Sequence, residues 1–312
     1  MPKTIVWNIW VPKAYNGLEL SLTEGLQKLQ GLAKTDGSLG WTVTLCSGAN
    51  YFIGNLQPEA SSEIFLSPNK RVCFGGSGGI FGTAEQQGDT YSISGEWHYA
   101  TGAPYLTHFT LNAKIIANGD LVLNDDGKPL VYSFVIPKEA VSIIENWGAM
   151  GLKATATHSF QVNSVVVSSK YAFVYNTFYL PQPIFKIPFS VFADLTLWVN
   201  YLGMAEHYLE EAATILEHEI LKPFYSILLK TNQQLYKFAE QIELLTTTET
   251  VITELYIETI HTTALASVKK ISKAILNIYP LLGMKACNKQ HVLNRIFRDY
   301  FTAMQHHNFS GR

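Results

Sequence analysis

Charge is what this sequence has least of. Only 15% of its 312 residues are Asp, Glu, Lys or Arg, and the net charge is −2. The cations are scattered rather than gathered into a stripe, so the footprint of a phosphate-backbone partner is missing and nucleic acid is not expected as a ligand. Cysteine is scarce too. Cys46, Cys73 and Cys287 are odd in number and far apart, which argues against a disulfide frame or a zinc knuckle and fits reduced thiols in the cytoplasm. No apolar run nears the roughly 18 to 20 residues that a membrane-spanning helix needs. Pro12 interrupts the short apolar stretch at the N-terminus, so neither a membrane partner nor a secretion signal is expected. Metal-ligating Cys/His spacings are absent as well, which sets aside zinc chemistry and leaves no metal expected. Glu258 and His261 form one Glu-x-x-His, where a di-iron bundle needs two on facing helices. They read as a surface pair.

Hydrophobic residues make up 47% of the chain, which suits a packed globule, and the length suits two packed regions. Residues 20 to 66 read as helical, with Leu26, Leu29, Leu32 and Ala33 at helical spacing and Asp36, Gly37 and Ser38 supplying a turn and a cap. From Arg71 to Ser168 the texture changes to alternating, β-branched and aromatic segments such as TYSISGEWH, HFTLNAKII and SFQVNSVVVS. Asn118-Gly119-Asp120 and Asn124-Asp125-Asp126-Gly127 punctuate them as turns. Beyond Pro181, Pro183 and Pro188 the helical period returns at Leu195, Val199, Leu202, Ala205, Leu209, Ala212 and Leu216. Further helices follow over about 225 to 245, 249 to 278 and 289 to 306. The expected fold is α+β: N-terminal helices (1–68), a central antiparallel β domain (69–180) and a C-terminal four-helix bundle (181–312). The glycine-rich run Gly75 to Gly82 has neither dinucleotide nor P-loop spacing and is expected to be a flexible loop at a pocket mouth.

Strand alternation places Trp97, Tyr99 and Thr101 on one face, where two rings and a hydroxyl can meet a planar ligand. The competing reading makes Trp97 and Tyr99 sheet-core aromatics and Thr101 the start of a turn. Thr155 and Thr157 share a face of a later strand and can hydrogen-bond the same ligand, or reflect ordinary β-propensity. His306 and His307 end the last helix. A histidine there can exchange protons near neutrality, or cap the helix C-terminus.

Taken in order, four passages carry a resemblance. VPKAYNGLELSLTEGLQKLQGLAKTDGSLGW, YSISGEWHYATGAPYLTHF and WGAMGLKATATHSFQVNSVVV resemble successive passages of the acyl-CoA dehydrogenase superfamily. LNRIFRDYFTAMQHH is similar to the Arg-Asp, then His, signature of its reduced-flavin-dependent, two-component monooxygenase branch, with Arg298 leading to His306. The resemblance implies the corresponding fold, apparently lacking a helical hairpin that usually precedes the first passage. It also implies flavin, FMN or FAD, contacted by Trp97 and Thr101, with His306 as the catalytic group; Tyr99, Thr155 and Thr157 join them as flavin-binding candidates on strand alternation alone. Lys153 stands where the branch commonly has Arg, and Ala154 and Ala156 where it has Gly. The implied function is a monooxygenase using reduced flavin and O2 on a small, aromatic substrate, with a flavin reductase as partner and a homodimeric or homotetrameric assembly. One alternative is an acyl-CoA dehydrogenase acting on an acyl thioester. It is disfavoured because Ala193 occupies the helix position where one branch keeps its catalytic Glu. The other is a non-catalytic relative.

Overall fold

The computed structural model describes residues 6–68 and 71–310. The chain begins with α1 (Leu22–Thr35), α2 (Gly37–Asn50) and α3 (Pro58–Phe65). Ser21 and Glu24 close a reciprocal capping box at the start of α1, and Asp36 Oδ1 accepts from Leu39 N at 2.9 Å at the start of α2, so the cap expected at this turn is in place. Strands follow: β1 (Phe74–Gln87), β2 (Thr90–Ala100), β3 (His108–Ala117), β4 (Asp120–Leu121), β5 (Val131–Pro137), β6 (Ser142–Ile144), β7 (His158–Ser168) and β8 (Ala172–Phe173). The last part is helical: α4 (Phe189–Ala212), α5 (His218–Thr247), α6 (Glu254–Ile278), α7 (Met284–Cys287), α8 (Val292–Ala303) and α9 (His307–Ser310). This order bears out the α+β expectation. Two compact units result, one of Met1–Glu19, Leu45–Trp147 and Ala156–Lys186, the other of Leu20–Thr44, Gly148–Thr155 and Ile187–Arg312.

The first unit is built on one sheet in the order β6-β7-β2-β1-β3-β5-β8, with β4 paired to β3. Two features differ from expectation. The sheet is not wholly antiparallel, because β1 and β3 run parallel on the far side of the β1–β2 hairpin. The run Gly75 to Gly82 is not a loop but part of β1, and its glycines make room: a Cβ on Gly82 would lie 2.3 Å from Trp97 Cζ2, and one on Gly76 would lie 1.8 Å from Thr110 O. A side chain at either position would be driven into a ring or a backbone carbonyl, so low β-propensity gives way to close packing. The Asn118-Gly119 turn forms as read, with φ of 53° and 87° joining β3 to β4, the left-handed pair that a tight hairpin requires.

In the second unit α4 is buried on nearly every side, the mark of a central helix. Helices α1, α5, α6 and α8 all pack on it. Polar bonds fix their register: Gln30 Nε2 donates to Glu206 Oε1 at 2.8 Å, the Tyr236 hydroxyl donates to Gln30 Oε1 at 2.6 Å, and Thr23 N and Oγ1 donate to the two oxygens of Glu243. Among the described residues no helix is long and apolar enough to cross a membrane.

Candidate functional site

The sheet unit breaks the expected one-face alignment of Trp97, Tyr99 and Thr101. Trp97 is 0% exposed; its indole stacks on Phe160 at 5.5 Å and its Nε1 donates to Asn112 O at 2.9 Å. This ring is a core residue with no face left for a ligand. The cause is a β-bulge: β2 passes from the Trp97–Phe160 pair to the Ala100–His158 pair, three residues against two. Tyr99 absorbs the extra residue with φ 66°, so alternation fails there and its ring turns outward, 71% exposed. Thr101 is buried, its hydroxyl 3.1 Å from that of Thr157.

What the bulge exposes is a different set of rings. His98 lies 5.3 Å from Phe81 and 6.1 Å from Tyr99, centroid to centroid, and both partners are exposed. Sequence periodicity assigned neither Phe81 nor His98. A flat ligand could be taken by such a cluster through ring stacking, with the Thr101–Thr157 hydroxyl pair in the same unit. Thr155 and Thr157 do not share a strand face as expected. Lys153–Thr155 is a 3-10 turn, Ala156 takes φ 44°, and β7 begins only at His158. The Thr155 hydroxyl donates to Leu152 O at 2.7 Å.

In the helical unit the last helix ends earlier than its periodicity suggests. Helix α8 stops at Ala303, and His306 sits in the turn before α9, so it is not a cap on the last turn of α8. Its side chain is half-buried; its Nδ1 is fully buried and has no hydrogen-bond partner in the structure. Trp41 meets it edge-to-face at 5.6 Å, and Tyr201, which packs edge-to-face on Trp41 at 6.2 Å, donates its hydroxyl to Ala303 O at 2.7 Å. The His307 ring lies 4.5 Å away. Burial, with the His307 charge as a second cause, lowers His306 from 6.5 to about 4. It is therefore uncharged near neutrality, with one buried nitrogen unsatisfied.

Arg298 and Asp299, which lead into this turn, shape the segment Gly148–Thr155. Arg298 Nη1 donates to Met150 O at 2.8 Å, Asp299 Oδ1 accepts from Leu152 N at 2.5 Å, and Thr302 Oγ1 accepts from Gly151 N at 3.0 Å. Burial pushes the Asp299 carboxyl up, and the Leu152 bond offsets part of that.

A second polar group lies in this unit. Asp194 is buried in α4; its Oδ2 is 3.0 Å from His261 Nδ1 and its Oδ1 accepts from Asn308 Nδ2 at 3.2 Å. His261 is thus not the surface coincidence expected of it. The available signal was Asp194 itself, the one charge in the apolar run Phe189 to Ala205, because a buried carboxylate needs partners. Among the described residues no cluster of His, Cys, Asp and Glu could hold a metal ion.

Residues 231–311 match the family "Acyl-CoA dehydrogenase, C-terminal domain". An indole-3-acetate monooxygenase of Pseudomonas putida is 31% identical over 209 residues, which are 66% of this chain and 51% of that protein. The chain therefore spans about half the length of this curated relative. Among solved structures, the 3-HSA hydroxylase from Rhodococcus sp. RHA1 superposes with a TM-score of 0.88 at 17% identity, covering 97% of this chain and 82% of that one. XiaF from Streptomyces sp., solved with FADH2 and glycerol, gives 0.86 at 16% identity over 97% and 82%. The chain is thus similar to flavin-dependent monooxygenases, shares the fold of solved members of that group, and carries over residues 231–311 a match to the acyl-CoA dehydrogenase C-terminal domain.

Proposed function

We propose that this chain is the oxygenase component of a two-component monooxygenase, taking reduced flavin from a separate reductase and hydroxylating a small aromatic substrate with O2. The observation that carries the reading is His306: an uncharged imidazole whose buried Nδ1 has no partner in the structure, set against Trp41. An orphaned buried nitrogen costs stability unless a ligand completes it. Its chemistry suits accepting a hydrogen bond, or a proton, from a substrate hydroxyl or ring N–H. Flavin, when bound, supplies the oxygen chemistry. The rings of Phe81, His98 and Tyr99 and the hydroxyls of Thr101 and Thr157 are the side chains in the sheet unit whose types and positions fit a flat, hydrogen-bonding cofactor. Similarity to an indole-3-acetate monooxygenase supports an indole-like substrate, and the FADH2-bound XiaF supports FAD as the flavin. A cytoplasmic setting is part of the same reading, supported by three free thiols, as is assembly into dimers or tetramers.

The test is rapid mixing of the chain and reduced FAD with O2, with and without indole-3-acetate. A lasting transient in the flavin absorbance, followed by hydroxylated product, supports the proposal. Immediate appearance of oxidised flavin with stoichiometric peroxide and no product rejects it. His306→Ala should lower the rate of product formation at least tenfold without changing the circular dichroism.

A further inference from the structure

The bulge in β2 does more than turn Tyr99 outward. Where β2 passes from the Trp97–Phe160 pair to the Ala100–His158 pair, two residues, His98 and Tyr99, stand opposite one residue of β7, Ser159. Ser159 also pairs with Ile144 of β6 on its other side, so it lies between His98 and Asn146, two residues beyond that pair. The Ser159 hydroxyl is 3.0 Å from His98 Nδ1 and accepts from Asn146 Nδ2 at 2.9 Å, while Ser159 N donates to Asn146 Oδ1 at 2.9 Å. Trp147 N donates to His158 Nδ1 at 3.0 Å, which holds the same loop against β7.

These bonds fix where each proton goes. A backbone N–H can only donate, so its Asn146 partner is the amide oxygen, and the amide nitrogen faces the Ser159 hydroxyl. Ser159 Oγ therefore receives a proton from Asn146 and has its own to place. The residue is 3% exposed, and among the described residues its hydroxyl meets only Asn146 and His98. A buried O–H left without an acceptor costs free energy, so it donates to His98 Nδ1. Glu96 Oε1, 3.7 Å from that nitrogen, is beyond hydrogen-bond reach. With Nδ1 accepting, neutral His98 carries its proton on Nε2. The two imidazole nitrogens point away from each other, so this N–H is directed away from buried Ser159. It belongs to a side chain that is 41% exposed and flanked by the exposed rings of Phe81 and Tyr99 at 5.3 and 6.1 Å.

We infer that Asn146 and Ser159 are positioning residues that hold His98 as an Nε2–H donor beside the Phe81 and Tyr99 rings, and that His98 selects a flat ring with a hydrogen-bond acceptor at its edge. A carbonyl oxygen or an unprotonated ring nitrogen is such an acceptor. The inference rests on the reading that these rings take the flavin, and it adds how this face tells one flat molecule from another. The rings supply contact area, which any aromatic ligand can use; the fixed donor supplies orientation, which only a ligand with an acceptor in the right place can use.

Ring-nitrogen NMR of the full chain labelled with 15N-histidine, without flavin at pH 8, reads the position of the proton directly. The His98 signals are those missing from His98→Phe. In the wild type Nδ1 should be unprotonated and Nε2 protonated. Asn146→Asp, at an exposed position and of the same shape, replaces the amide donor by an oxygen that takes the Ser159 proton. The proton on His98 should then move to Nδ1, whereas an Asn146 that merely braces the loop would leave it in place. Titration of the wild type and His98→Phe with FAD, followed by flavin fluorescence anisotropy, tests the selection. The variant keeps a ring but has no donor, and it should bind about fivefold more weakly, the loss of one neutral hydrogen bond. A protonated Nδ1 in the wild type, an unmoved proton in Asn146→Asp, or equal affinity in His98→Phe each overturns the inference and leaves the oxygenase proposal standing. A wild type that binds no FAD ends the flavin reading itself, and with it the ligand named here, wherever the proton lies.

Discussion

His306 couples the chemistry of one side chain to the stability of the chain. Its folded value of about 4 lies below the ordinary 6.5, so between those limits the unfolded chain binds a proton that the native one refuses. The stability it contributes is complete above about pH 6.5 and is lost as pH falls toward 4. The loss should be about 2 kcal/mol, allowing for partial exposure. Urea unfolding at pH 7 and pH 5 checks this: His306→Phe should flatten the difference, and an unchanged slope would mean that His306 is not buried in solution. Trp97 makes the opposite point. Its residue type invited a ligand role, whereas its 0% exposure and its bond to Asn112 O make it core. Trp97→Ala should cost about 3 to 5 kcal/mol by urea unfolding. A fully stable variant with impaired flavin binding would reverse that assignment. The sequence pattern left both roles open because strand alternation assumes an unbroken ladder, and the bulge at Tyr99 is invisible to it.

At the scale of elements, long helices were legible because an apolar stripe every three or four residues has one good solution. So were the hairpin turns, where Asn-Gly tolerates left-handed backbone at low cost. The segment Gly148–Thr155 was not, because its shape comes from bonds to α8, more than 140 residues away in sequence. Gly151 fits only without a side chain: a Cβ there would lie 2.1 Å from Arg298 O. Gly151→Ala should therefore destabilise the chain by about 2 kcal/mol or more, since a backbone carbonyl cannot move aside cheaply. Ala156, just beyond, holds φ 44°, a conformation that strains any residue with a Cβ. The superfamily resemblance leads one to expect glycine there, and Ala156→Gly should raise stability by about 0.5 to 1 kcal/mol. Thermal unfolding of the two variants measures both signs at once; a stabilising Gly151→Ala or a destabilising Ala156→Gly would show the turn to be shaped otherwise.

Over the whole molecule, the fold followed from the order of the passages, while the groups around the candidate site did not. Asp194 meets His261, and Trp41 meets His306, only through packing of the helical unit, so no local motif announces them. Surface chemistry at this scale bears on assembly. The low charge content of 15% leaves apolar side chains on the outside of α5 and α6: Leu229, Leu244, Leu255 and Leu276 are each at least half exposed. Single exposed leucines are ordinary, but several on two helices packed against each other point to a surface that another copy covers. Light scattering coupled to size exclusion should then give a multiple of 34.9 kDa. Leu229→Glu combined with Leu255→Glu should shift it toward the single-chain mass, because burying two carboxylates at such a contact costs several kcal/mol. A wild-type mass of 34.9 kDa across the micromolar range would instead make those leucines unpaired surface residues and remove the oligomer from the functional reading.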